Sequence, residues 1–199
     1  MNRRLVEWSV FALLVIGGAW LRVALQEIPN FAPVAGLALF SGYFFRSRWL
    51  AVFVPLGVMG LSDLWVGGYD LRVMVTVYAM LTVPVFASGV LRSTFQLAPG
   101  RWRETFAAVG GLVGSSLLSS VLFYLVTNFA VWCCYDYYAT NGAGLAECYL
   151  RALPFFRYTL AGDLCFSTLL FGAYSFAVAS SLVTAVVPAK VAPAAVTGS

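Results

Sequence analysis

Long apolar runs alternate with short polar connections along the chain, and this pattern predicts an all-α polytopic membrane protein, a bundle of six transmembrane helices. Runs near the roughly 20-residue length of a membrane-spanning helix recur. The predicted helices cover about Leu5 to Leu25, Phe31 to Phe45, Trp49 to Ser62, Val73 to Leu91, Thr105 to Asn128 and Phe155 to Val183. The second and third runs are short for spans, and a re-entrant hairpin is the alternative. Its tip would bury Arg46 and Arg48 in lipid, so two spans are favoured.

Composition supports a membrane protein. Of 199 residues, 61% are hydrophobic and only 10% are charged, with a mean hydropathy of +0.87, whereas soluble domains are about a quarter charged. A heavily oligomeric soluble fold is the alternative. We expect a single transmembrane domain over residues 1–187 and a disordered, Pro/Ala-rich cytoplasmic tail over 188–199.

The distribution of basic residues predicts the orientation. With the N-terminus in the cytoplasm, eight of the 12 basic residues fall on the cytoplasmic side, as the positive-inside rule requires. Both termini are therefore expected in the cytoplasm, with the connections at 46–48 and 92–104 on the same side.

Several classes of function are disfavoured by the residues present. The chain contains no histidine, which removes the commonest metal ligand and the usual general base. The net charge of +4 is dispersed, and no basic run suits nucleic acid. No Walker A sequence is present. We expect no enzymatic activity, no cofactor, no metal site and no nucleic-acid partner.

Four ionisable residues stand in or beside apolar runs near the predicted outer surface. Asp63 and Asp163 are costly there as carboxylates unless they meet a partner, water or a ligand. Arg22 and Arg157 lie at similar depth and are the obvious partners. Structural ion pairs that lock helix ends remain an alternative.

The last two helices each carry polar residues at a four-residue spacing, which places them along one helix face. The fifth helix has Ser116, Ser120, Tyr124 and Asn128, and the sixth has Thr159, Asp163 and Ser167. Such stripes are expected to face each other or a cavity. Interhelical hydrogen bonding alone is the alternative explanation.

The connection predicted over Phe129 to Pro154 holds three of the four cysteines. Cys133 and Cys134 are adjacent and unsuited to pairing with each other. A disulfide from Cys148 to Cys133 or Cys134 is predicted across an oxidising outer loop, with free thiols or a soft-metal site as alternatives.

Several segments resemble an uncharacterised family of bacterial inner-membrane proteins. They are Pro29 to Val34, Leu37 to Phe40, Ser62 to Leu64, Thr127 to Trp132, Gly144-Leu145 with Cys148-Tyr149, Pro154 to Phe156, and Gly162 to Leu164. That family looks like the substrate-binding S components of energy-coupling-factor vitamin transporters. The resemblance implies a bacterial inner-membrane location, an outward-facing pocket, and a membrane coupling subunit and ATPase as partners.

The leading functional hypothesis is a membrane substrate-binding or uptake component for a small, vitamin-like molecule. Arg22 and Arg157 would hold anionic groups, and hydrogen bonds would come from Asn30, Asp63, Asn128 and Asp163. Contact area would come from Phe31, Trp65 and Trp132. A structural or assembly protein of the envelope without a ligand is the alternative, and a membrane enzyme using Asp or Cys chemistry is the third.

Overall fold

The structure is a computed structural model that describes residues 3–95 and 102–180. Six α-helices form within these two stretches, and no strand occurs in them. The helices are α1 (Arg3–Ala24), α2 (Val34–Phe44), α3 (Arg48–Val66), α4 (Leu71–Thr94), α5 (Trp102–Cys134) and α6 (Gly142–Ala179). The predicted all-helical membrane bundle is confirmed. The tail expected over 188–199 lies outside the described residues.

Five of the helices are long and apolar enough to cross a bilayer, namely α1, α3, α4, α5 and α6. Only 17–33% of the most apolar window of each is buried within the protein. Their outward faces instead carry exposed apolar side chains such as Leu13, Val75 and Leu169. A helix with this distribution is suited to lipid on its outer face, because lipid tails replace the protein core as the apolar surroundings.

Helix α2 differs from the other five in length and in burial. It has 11 residues, nine of them buried, and packs against α3, α4 and α6. At 1.5 Å per residue it is about 16 Å long, roughly half of a 30 Å hydrocarbon core. Helix α2 is therefore the central core helix of one half of the bundle rather than a full span.

Residues 25–33 join α1 to α2 without forming a helix of their own. Asn30 in this segment has a φ of 59°, in the left-handed region that asparagine tolerates better than most residues. Pro33 then takes the N-cap position of α2. Irregular backbone at membrane depth is tolerated where protein buries it or where it lines a cavity, and side chains of this segment line a cavity between the helices.

The end of the bundle that contains the C-terminus of α2 is filled by aromatic rings, and we call it the closed end. Neighbouring ring centroids lie 4.9 to 6.2 Å apart. The cluster consists of Phe40, Tyr43, Phe44, Phe45, Phe95, Phe171 and Tyr174. Arg92 donates to the carbonyl oxygens of Gly42 (3.0 Å) and Phe45. The last carbonyls of α2 are thus satisfied inside the protein.

The helix boundaries correct two predictions at the opposite end, which we call the cavity end. Helix α5 continues past Asn128 to Cys134, and α6 begins at Gly142, where the Asn141 side chain accepts a hydrogen bond from the Gly144 N–H (2.9 Å). The loop predicted over Phe129 to Pro154 is therefore mostly helix. Pro154 lies inside α6, a position that neighbouring helices make tolerable in membrane proteins.

Candidate functional site

A cavity of about 420 Å³ lies between the helices at the cavity end. This volume falls within the range of small-molecule sites, about 300–1,000 Å³. Its wall includes side chains of the 25–33 segment and of all six helices. Val34 and Ala35, in the first turn of α2, contribute to it. The cavity thus occupies the central space that α2 is too short to fill.

Four of the six predicted site residues line this cavity: Arg22, Asn30, Asn128 and Asp163. Asp63 does not line it, but it contacts Arg22 directly. Arg157 is exposed and donates to the hydroxyl of its neighbour Tyr158 (3.0 Å), with its guanidinium 4.7 Å from the centre of that ring. Arg157 is therefore not brought together with the other predicted site residues, because its side chain turns toward Tyr158 on the protein surface.

Arg22 and Asp63 form an ion pair between α1 and α3. Arg22 Nη1 donates to Asp63 Oδ1 and to Ser62 Oγ, each at 2.5 Å. The Tyr78 hydroxyl of α4 donates to the second Asp63 oxygen at 2.7 Å. The two charged side chains are only 15% and 11% exposed. The charge of Arg22 is therefore compensated where it reaches the cavity wall.

Asp163 is the second charged residue of the wall, and it lies on α6 with 5% of its surface exposed. The Ser120 hydroxyl of α5 donates to Asp163 Oδ2 at 2.5 Å. One turn deeper, Ser116 Oγ donates to Ser167 Oγ at 3.2 Å. The two polar stripes predicted on these helices thus face each other at Ser116 and Ser120, and they reach the cavity at Tyr124, Asn128, Thr159 and Asp163.

Two glycines allow the centre of the bundle to approach α6 closely beside Asp163. A Cβ atom on Gly162 would meet the Ala32 backbone nitrogen at 3.3 Å and its oxygen at 3.4 Å. A Cβ on Gly36 would meet the Ser167 nitrogen at 3.0 Å and the Phe166 Cβ at 3.1 Å. The backbone at Ala32 and at Gly36 therefore lies directly against α6 on either side of Asp163 in the sequence.

Asn128 lies on the α5 side of the cavity. Its Nδ2 donates to the Tyr124 carbonyl at 2.7 Å. The Tyr124 hydroxyl donates to the Tyr149 carbonyl at 2.6 Å, and the Tyr149 hydroxyl to the Leu125 carbonyl at 2.7 Å. The two tyrosine hydroxyls thus join α5 to α6 on this side of the wall.

Polar contacts also tie the helix ends together around the mouth of the cavity. Asp70 caps α4 by accepting from the Arg72 and Val73 N–H groups at 2.9 and 3.4 Å. Arg72 also donates to the Cys134 carbonyl at 3.0 Å, which links α4 to the end of α5. Hydrogen bonding from Arg72 is the main reason that the pKa of Asp70 is lowered. The rim is thus held by contacts between different helices.

Several wall residues were not anticipated from the sequence. Gln26, Tyr69, Phe123, Phe155 and Phe156 line the cavity, and Phe31 does so as predicted. Trp65, expected to give contact area, is 68% exposed, and Trp132 instead donates to the Ala139 carbonyl at 3.0 Å. The sequence held a signal for some of these rings. Phe155, for example, lies four residues before Thr159, and therefore on the same face of α6 as the predicted polar residues.

The predicted disulfide is absent, since all four cysteines are free thiols. Cys148 is buried, and its sulfur donates to the Asn128 carbonyl at 3.5 Å. Cys133 lies five residues further along α5, about 7.5 Å at the rise of a helix. The continuation of α5 as a helix thus carries Cys133 and Cys134 beyond the turn that Cys148 contacts. No group of three His, Cys, Asp or Glu suited to a metal ion occurs among the described residues.

Taken together, the fold and the site define a helical membrane protein with a polar-and-aromatic cavity at one end. The chain belongs to the family of unknown function DUF6580, whose family model matches residues 2–188. No curated protein and no solved structure matches it.

Proposed function

We propose that this protein is a membrane substrate-binding component that takes up a small, vitamin-like molecule through its cavity. The observation that carries the proposal is the convergence of Arg22, Asn30, Asn128 and Asp163 on one cavity of about 420 Å³. A few polar groups placed among apolar and aromatic walls are the usual composition of a small-molecule site. Binding, rather than covalent chemistry, is the role of these residues.

The resemblance to S components of energy-coupling-factor transporters belongs to this proposal. In that arrangement the protein sits in a bacterial inner membrane with both termini in the cytoplasm, and the cavity end faces outward. A membrane coupling subunit and an ATPase supply the energy. The positive-inside bias of the sequence supports this orientation, and the position of the cavity beside the N-terminal turn of the short α2, at one end of the bundle, supports a one-sided binding site.

The test is mass spectrometry of small molecules that the purified full-length protein retains from its host membranes. We expect a retained compound that is released on denaturation. Replacing the cavity-lining Ala152 by tryptophan fills part of the cavity and should reduce the retained compound at least tenfold.

Ala161→Trp is the matched control, because Ala161 is an exposed position on the same helix that does not line the cavity. This variant should retain as much compound as the wild type. If no compound is retained under any condition, or if both variants lose it equally, the proposal is contradicted.

A structural or assembly role without a ligand is the second candidate, and the one-to-one pairs favour it. Arg22 with Asp63, Ser120 with Asp163 and Ser116 with Ser167 are the contacts expected of polar groups that hold helices together. The same mass spectrometry separates the candidates, since a purely structural bundle retains no compound that Ala152→Trp displaces.

A further inference from the structure

The two charged residues of the cavity wall differ in their partners. Arg22 is paired at 2.5 Å with Asp63, whose other oxygen accepts from Tyr78. Asp163 accepts from a neutral hydroxyl, that of Ser120. Among the described residues, no arginine or lysine forms an ion pair with Asp163. The charge left without a counter-charge on the cavity wall is therefore a carboxylate.

The backbone does not supply the missing compensation. Val34 and Ala35, in the first turn of α2, line the same cavity, and the N–H groups of a first helical turn lack intrahelical partners. Yet Ser120 is the one donor to the Asp163 carboxylate within the described part of the chain. A carboxylate at membrane depth is retained where it meets a partner, water or a ligand, and here the space beside it is the cavity.

The aromatic part of the wall is suited to the same kind of ligand. Tyr124 and Phe156 lie with ring centroids 4.8 Å apart, and Phe31 and Phe166 with centroids 5.6 Å apart. Tyr124, Phe156 and Phe31 line the cavity together with Asp163. Aromatic faces attract organic cations, and they also give contact area to an apolar body.

We propose that the cavity selects a small organic cation, an amine with an apolar or aromatic body, whose charged nitrogen pairs with Asp163. This inference rests on the proposed binding function and narrows it to a class of ligand. Arg22, which the sequence suggested as an anion-binding group, takes no part in charge selection because Asp63 already neutralises it. Asn128 and Asn30 provide neutral hydrogen-bonding groups on the wall for the remainder of the ligand.

The experiment uses three probes of nearly equal size: 2-phenylethylamine, 2-phenylethanol and 3-phenylpropionate, which are cationic, neutral and anionic at pH 7. Binding to the full-length protein in detergent is measured by equilibrium dialysis. We expect the amine to bind about tenfold or more tightly than the alcohol, as one charge-assisted hydrogen bond implies. The acid should bind most weakly.

Two substitutions weaken this preference by different routes. Asp163→Asn keeps a group that can accept from Ser120 but removes the charge, so the amine should lose its advantage over the alcohol. Asp63→Asn leaves Arg22 without its counter-charge, so binding of the acid should increase about tenfold. Glu147→Gln is the control, because Glu147 is an exposed carboxylate of α6 that pairs with Arg151 outside the cavity. It should keep the wild-type order.

The proposal is overturned if the wild-type protein binds the alcohol or the acid as tightly as the amine, if it binds none of the three, or if Asp163→Asn keeps the amine preference. The wild-type order decides even if Asp163→Asn does not fold. A retained compound that is neutral or anionic, and that Ala152→Trp displaces, would overturn the cation selectivity and leave the binding function standing. Absence of any retained compound together with absence of probe binding would overturn both.

Discussion

At the closed end, rings from α2, α6 and the residues just beyond α2 and α4 pack edge to face until the centre is full, and Arg92 saturates the carbonyls where α2 ends. At the cavity end, aromatic residues are also plentiful, but Phe31, Tyr124 and Phe156 surround space instead of filling it. Both ends are built from aromatic and apolar side chains of the same bundle. The difference comes from the backbone, because α2 occupies the centre at one end only.

This contrast separates two uses of the same residue types. In the closed half, packing is the stabilising interaction, since van der Waals contact is what holds membrane helices together when lipid is as apolar as the core. In the cavity half, helix ends are joined by specific polar contacts such as Arg22 to Asp63 and Arg72 to the Cys134 carbonyl. The two ends are therefore held together by different interactions, packed rings at the closed end and polar contacts between helix ends at the cavity end.

The largest expected effect tests whether the two ends face opposite sides of the membrane. One variant keeps Cys133, exposed near the end of α5, as its single cysteine, and another carries only Ser47→Cys, just before α3. A membrane-impermeant maleimide added to intact cells should label Cys133 and leave the cysteine at position 47 unlabelled until the cells are opened. Labelling of position 47 in intact cells would contradict the predicted topology.

A second prediction compares the same substitution at two positions of α6, one at each end of the bundle. Phe171 is 1% exposed in the aromatic cluster, so Phe171→Ala should lower the free energy of unfolding by about 3–5 kcal/mol through the void that it leaves. Phe156 already borders the cavity, so Phe156→Ala should cost about 1 kcal/mol or less. Unfolding in mixed detergent and SDS measures both. Equal costs would mean that the cavity end is as tightly packed as the closed end.

The smallest effect locates the boundary between the two halves. Gly36→Ala places a methyl group 3.0 Å from the Ser167 nitrogen and should cost about 1–3 kcal/mol, because backbone must move to accept it. Gly172→Ala on α6 meets nothing within 4 Å, and the higher helix propensity of alanine should stabilise by up to about 1 kcal/mol. The same unfolding titration applies. A neutral Gly36→Ala would show that α2 and α6 are not held in close contact.

Much of the fold could be predicted because membrane spans leave a strong local signal. Apolar runs located all six helices. The four-residue spacing of polar residues on α5 and on α6 correctly predicted that these two faces meet, as they do where Ser120 contacts Asp163. The helix ends at 128 and 155 were wrong, because the apolar residues 129–134 continue α5, and Pro154, where the prediction ended the loop, lies inside α6.

The site was harder to predict, because it depends on side-chain direction and on one short helix. Sequence placed Arg22 and Arg157 at similar depth, yet only Arg22 turns inward, and nothing local distinguishes them. The sequence offered Arg22 and Arg157 as possible partners of Asp63, and the structure pairs Asp63 with Arg22. The cavity itself follows from the length of α2, and the apolar run from Phe31 to Phe45 concealed that length because residues 31–33 are apolar but not helical.

The burial of α2 also predicts an order of assembly after synthesis. Helices α1 and α3 to α6 are each long and apolar enough to cross a bilayer, whereas an 11-residue segment is too short to do so. Helix α2 acquires its stability from α3, α4 and α6, which emerge from the ribosome after it. The centre of the bundle is thus the part that must wait for the rest of the chain, and a protein truncated after α3 would leave α2 without the neighbours that hold it in the membrane.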